Sequence, residues 1–127
     1  NKFQDLIVQE FQKNIVQRGE VSFMMIGGKY SHAVLKKAKP GDFRVQDDFG
    51  GSIQEYKPGN KEVDFVHNVI QALPFSPVYA RVDVIFDNLN MLAVSELELI
   101  EPEMWFRLNH NAAHKLALAI KDYINHF

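Results

Sequence analysis

Every second residue from Val78 to Phe86 is apolar: Val78, Ala80, Val82, Val84 and Phe86. Between them stand Tyr79, Arg81, Asp83 and Ile85, so a cation and an acid share the other set. Strand residues two apart share a face, and this alternation therefore describes a strand with one face buried and the other able to carry charge. A second run, Met91 to Ile100, follows Asp87-Asn88-Leu89-Asn90, whose residue types favour a turn. The two runs read as an antiparallel hairpin that needs an apolar layer against its inner face.

The same signals recur upstream. Val21–Ile26 and Tyr30–Leu35 flank Gly27-Gly28-Lys29, and paired glycines supply the positive φ angles of a tight hairpin. Leu6-Ile7-Val8-Gln9-Glu10-Phe11 reads as a short strand leading into a loop that ends at Arg18-Gly19. Ala38 to Asp42 is turn chemistry, Phe43-Arg44-Val45-Gln46 a short extended piece, and Asp47 to Gly51 reads as a loop that is either mobile or ligand-facing. From Asn60 the period changes: Val63, Val66, Val69, Ile70 and Leu73 fall on one helical face, with Asn60 as cap and Pro74 and Pro77 as stops. Ala113, Leu116, Ala117, Ile120, Ile124 and Phe127 trace an apolar stripe along a final helix, capped by Asn109 or Asn111. The expected fold class is α+β: one domain over residues 1–127, an antiparallel sheet covered on one face by two packing helices.

Composition narrows the partners. At 46% hydrophobic and 24% charged, the 127 residues can form a core. A net charge of -2 gives no general pull toward nucleic acid or an anionic membrane, so any phosphate must be held by a few placed cations. The absence of cysteine excludes disulfides and thiolate metal sites, which makes the cytoplasm the default compartment. No apolar stretch approaches the roughly 20 residues that span a bilayer. The chain opens without Met and reaches an apolar run almost at once, the expectation for a piece of something longer.

On the strand 91–100, Val94, Glu96, Glu98 and Ile100 share a face. Whether it coincides with that of Arg81 and Asp83 depends on the turn. A loop of two or four residues puts Arg81, Asp83, Glu96 and Glu98 on one surface, whereas a three-residue loop separates them. Three carboxylates on one face repel unless a cation intervenes, and Mg²⁺ is the hard, oxygen-seeking ion that suits them. The competing reading is an exposed polar sheet face with an Arg81–Glu96 pair worth about 0.2–1 kcal/mol and no ligand. His110 and His114 have i, i+4 spacing without an acidic partner motif, and read as a solvated helix face. Trp105 and Phe106 read as packing residues or part of a substrate wall.

Arg81-Val82-Asp83, Glu96-Leu97-Glu98 and Pro102, together with Gly41-Asp42-Phe43-Arg44 and Gly50-Gly51, resemble the C-terminal part of an ATP-grasp enzyme of the glutathione-synthetase-like and ribosomal-protein-glutamate-ligase-like branches. The resemblance covers nearly the whole chain. It implies that Asp83, Glu96 and Glu98 hold Mg²⁺, that Arg81 and Arg44 are catalytic groups on the phosphate, and that Lys36, Gly50 and Gly51 lie by the phosphates. Gln9, Glu10 and Phe11 would receive adenine and Glu20 the ribose. Glu98 departs from the family's pattern, where many members carry Asn, and so raises the charge of the ligand set.

The same resemblance implies an ATP- and Mg²⁺-dependent ligase that joins a small-molecule carboxylate to an amine through an acyl-phosphate. An N-terminal half, with a substrate domain and a phosphate-facing lysine, would be missing, so the expected isolated chain turns over nothing. The alternative from another class is a non-catalytic binding or assembly module that keeps the fold and offers its sheet face to a protein.

Overall fold

Gly27 and Gly28 both have positive φ, 57° and 73°, and close the hairpin around which the rest is built. A computed structural model of the chain describes residues 6–39 and 51–126. The hairpin joins β1 (Glu20–Ile26) to β2 (Lys29–Lys37). β3 (Ser52–Tyr56) adds to the outer edge of β2, while β4 (Tyr79–Phe86) and β5 (Leu92–Glu98) extend the sheet from β1. The order is β3-β2-β1-β4-β5, antiparallel at every pairing. β3 was not foreseen: Ser-Ile-Gln-Glu-Tyr alternates poorly, and only Ile53 and Tyr56 hold it to the layers on either side.

Helix α1 (Asn14–Arg18) is a single turn, α2 (Asn60–Gln71) lies across one sheet face, and α3 (His110–Ile124) closes the described chain after a short 3₁₀ turn at Phe106–Leu108. The cap of α2 lies one residue earlier than expected. Gly59 is the N-cap, and Glu62 at the third helical position accepts its backbone N–H at 2.8 Å. Val66 and Ile70 of α2 pack with Val21, Phe23, Met25, Leu35, Ala80, Val82 and Val84. Phe23 is fully buried there, and truncation to Ala would cost about 3–5 kcal/mol.

The sheet is covered on both faces, not on one. Met24, Ile26 and Val34 point away from α2 and pack with Met104, Trp105 and Ala112. Every residue of β1 is buried, which its unbroken Phe-Met-Met-Ile run requires: a strand with two covered faces has no polar face to alternate with. The buried charged residues Glu20, Lys36, Arg81 and Asp83 lie on the three neighbouring strands β1, β2 and β4.

Two further expectations are corrected. Leu6–Phe11 forms no strand: Leu6, Ile7 and Val8 are exposed, and residues 10–13 are tied instead to the β4–β5 turn through Asn88. Along α3, Ala112, Leu116 and Ala119 face the sheet, while Ala113, Ala117, Ile120 and Ile124 of the expected stripe are exposed. The helix carries two neighbouring apolar arcs, and the periodicity could not say which one is covered.

Candidate metal and phosphate site

The acids reach one face by a route that the turn alone would have denied them. Phe86 pairs with Leu92, so the β4–β5 loop is Asp87–Met91, five residues and an odd number. It is organised by Asp87, whose Oδ1 accepts the N–H groups of Leu89 and Met91, both at 2.8 Å. Val84 then pairs with Val94 but Asp83 with Glu96, so Ser95 is an extra residue, a β-bulge. The bulge shifts the register by one and turns Glu96 and Glu98 onto the face of Arg81 and Asp83.

Register places Asp83 opposite Glu96, and Arg81 opposite Glu98. Asp83 is fully buried. Its Oδ1 accepts from Arg81 Nε at 2.9 Å, and its Oδ2 from Arg81 Nη2 at 3.0 Å and Lys36 Nζ at 2.8 Å. Arg81 Nη2 also reaches Glu98 Oε1, and Glu96 Oε2 at 3.5 Å. Lys36 Nζ makes a second ion pair, 2.6 Å to Glu20 Oε2. The Trp105 ring closes over both cations, its centre 5.5 Å from the Arg81 guanidinium and 5.8 Å from Lys36 Nζ. Trp105 sits at φ 43°, a conformation few non-glycine residues take, with its N–H donated to Glu103 Oε1 at 2.6 Å.

Four carboxylates (Glu20, Asp83, Glu96, Glu98) thus face two cations (Lys36, Arg81), leaving two negative charges over. Partial burial, then the charges of Glu98 and Asp83, push Glu96 above the ordinary carboxylate value, with Arg81 only partly offsetting them. Burial works to lower Arg81, but its hydrogen bond to Asp83 and the three acids outweigh it and hold it fully charged.

Asp83, Glu96 and Glu98 each offer a carboxylate oxygen within 4.8 Å of the others, and they are the one such group of His, Asp or Glu among the described residues. All-oxygen donors with two uncompensated charges fit a divalent hard cation. Ser22, opposite Asp83 on β1 and fully buried, has a hydroxyl with no hydrogen-bond partner among the described residues.

The other expected site residues divide. Arg44 and Gly50 lie outside the described residues. Gly51 is half-buried immediately before β3. Glu10 and Phe11 are held at the β4–β5 turn, where Asn88 Nδ2 donates to Glu10 Oε1 at 3.2 Å and to the Phe11 carbonyl at 3.0 Å, and Gln9 just before them is exposed. Glu20 is buried within the charge cluster. Sequence reasoning missed Ser95, which carries no local signal, and the closure by Trp105 over both cations.

No protein-family model matches the sequence, and no curated protein matches it. Solved structures do. A D-cycloserine synthetase, DcsG, superposes with a TM-score of 0.77 at 23% identity, over 91% of this chain and 41% of that one. The fold is the ATP-grasp fold. A D-alanine–D-alanine ligase from Bacillus anthracis, solved with ATP, superposes with a TM-score of 0.55 at 21% identity, over 81% of this chain and 36% of that one. The chain therefore spans well under half the length of either ligase, and its ATP-grasp fold corresponds to their C-terminal portion. Among the described residues no helix is long and apolar enough to cross a membrane.

Proposed function

We propose that this chain is the metal- and nucleotide-binding portion of an ATP-dependent carboxylate–amine ligase. The observation that carries the reading is the three-carboxylate cluster flanked by Arg81 and Lys36, which with Glu20 makes four acids against two cations. In such a reaction the γ-phosphoryl group of ATP passes to a substrate carboxylate, and an amine then displaces phosphate from the acyl-phosphate to form the amide. No nucleophilic side chain is needed; the protein's task is to position the groups and offset their charge.

Asp83, Glu96 and Glu98 would hold Mg²⁺, which when bound offsets the charge of the phosphates. Arg81 suits the phosphoryl oxygens, because its planar fork already presents donors to several oxygens at once. Lys36, and Arg44 by resemblance, would serve the same charge; Gly50 and Gly51 would let the backbone approach the phosphates. Glu10 and Phe11, with Gln9 just before them, meet the hairpin at its turn through Asn88 while the acids lie further along its strands, which suits a ligand with adenine near Gln9, Glu10 and Phe11 at one end and phosphates at the other. The fragment belongs to a cytoplasmic enzyme whose other half supplies the substrate contacts, so by itself it binds nucleotide without turnover.

Calorimetric titration of Mg·ADP into the chain tests the reading, with Glu96→Ala and a magnesium-free control beside it. Saturable binding that needs both magnesium and Glu96 is expected. Binding that survives the loss of either contradicts it.

A further inference from the structure

Glu20 was expected to meet ribose hydroxyls, but its surroundings assign it different work. We propose that Glu20 is a positioning residue for Lys36, held in place by Ser95, and that through it the bulged strand β5 sets where the Lys36 ammonium sits relative to a bound polyphosphate. This rests on the functional reading given above.

Three observations carry it. Both Glu20 oxygens are committed inside the protein: Oε2 to Lys36 Nζ at 2.6 Å and Oε1 to the Ser95 hydroxyl at 2.5 Å. Glu20 is also buried, 7% exposed, so a sugar would have to displace a buried ion pair to reach it. Lys36 has three N–H donors; Glu20 and Asp83 take two, at 2.6 and 2.8 Å, which fixes an otherwise flexible four-carbon side chain and leaves one donor for a ligand. Ser95 is the residue inserted by the bulge. The irregularity that turns Glu96 and Glu98 onto the acid face therefore also supplies the hydroxyl that orients Glu20 across β4. The metal ligands and the lysine are set by one backbone feature.

The local backbone agrees. Gly19, just before Glu20, lies so close to β2 that a Cβ there would stand 2.2 Å from the Lys36 carbonyl oxygen. Glu20 and Lys36 are direct partners in the β1–β2 register, so this approach brings the two side chains together at the start of the sheet.

The test compares Mg·ATP with adenosine, by calorimetry on the whole chain, for the unaltered protein and for Ser95→Ala, Ser95→Thr, Glu20→Gln, Lys36→Met and the Glu20→Gln/Lys36→Met pair. A positioning role predicts that Ser95→Ala and Glu20→Gln weaken Mg·ATP several-fold, leave adenosine unchanged, and lose their effect once Lys36 is Met; Ser95→Thr, which keeps the hydroxyl, restores affinity. A ribose contact predicts instead that Glu20→Gln weakens adenosine and Mg·ATP alike, with or without Lys36, and that result overturns the inference. If Glu20→Gln does not fold, Ser95→Ala at its exposed edge position decides alone: unchanged Mg·ATP affinity overturns the proposal. Failure of the unaltered chain to bind Mg·ATP overturns the functional reading itself, and is distinct from the pattern that removes only the role of Glu20.

Discussion

Arg81 and Asp83 stand two residues apart on β4 and form a two-pronged ion pair, Nε to Oδ1 at 2.9 Å and Nη2 to Oδ2 at 3.0 Å. Because the same guanidinium also reaches Glu96 and Glu98, Arg81 is the counter-cation around which the acids are assembled. Its removal exposes what the cluster costs without compensation. Arg81→Met should destabilise the fold by about 3–5 kcal/mol, since the buried Asp83 keeps only Lys36. Part of that loss should be restored by millimolar Mg²⁺, which denaturant melts with and without the ion will measure; a loss indifferent to magnesium would separate Arg81 from any metal role.

Glu96 is predicted to be a ligand that the empty fold would do better without. Its pKa is raised, by burial first and then by Glu98 and Asp83. A carboxyl raised in the folded state contributes stability that is complete below its ordinary value of 4.5 and is lost as pH rises through the folded value. At pH 7 without metal, Glu96→Gln should therefore equal or slightly exceed the unaltered chain in stability, by less than about 1 kcal/mol because the carboxylate is mostly exposed. Melts in EDTA at pH 7 and pH 4 test this: any gain should be present at the first and absent at the second.

Much of this site was legible because strand alternation separates a core face from a charged one. The apolar set Val78, Ala80, Val82, Val84 and Phe86 fixes which way Arg81 and Asp83 point, whatever the partner strand does. The turn was the weak link. Parity reasoning asked for an even loop; the chain uses an odd loop and then corrects it with a bulge at Ser95, and nothing in Val-Ser-Glu announces a bulge. The Leu6–Phe11 run has strand-like composition but joins no strand ladder among the described residues, and a strand exists only where another supplies its hydrogen bonds. Contacts such as Glu20–Lys36, with Ser95 behind them, depend on the order in which four strands, β2, β1, β4 and β5, lie side by side, which no local pattern encodes.

Gly19 should prove irreplaceable. Its φ of 77° and ψ of -164° fall in a region essentially restricted to glycine, and an added Cβ would meet the Lys36 carbonyl oxygen at 2.2 Å. Gly19→Ala should cost about 2 kcal/mol or more and displace Lys36 with it, visible as a lowered melting temperature. A neutral outcome would mean that β1 and β2 are not held this closely.

His32 should make the fold sensitive to mild acid. Burial, the largest influence, pulls it below its ordinary 6.5, against its hydrogen bond to Met104; Lys115 pushes down and Glu55 pushes up. Its Nε2 donates to the Met104 carbonyl at 2.8 Å, so the neutral ring already meets the need at that position. A histidine lowered on folding supports stability above 6.5 and loses that support as pH falls through its folded value. The stability advantage of the unaltered chain over His32→Gln should shrink between pH 7.5 and pH 5; an advantage that stays constant would show that His32 titrates normally.

The central claim is that Asp83, Glu96 and Glu98, with Arg81 and Lys36 beside them, form a divalent-cation and polyphosphate site. Trp105, the sole tryptophan in the chain, reports on it directly, since its ring lies 5.5 Å from Arg81 and 5.8 Å from Lys36. Its fluorescence should change saturably as Mg·ATP is added, and the change should vanish in EDTA and in Glu96→Ala. The same change in either control would show that nucleotide meets this protein without the acidic cluster, and would contradict the account.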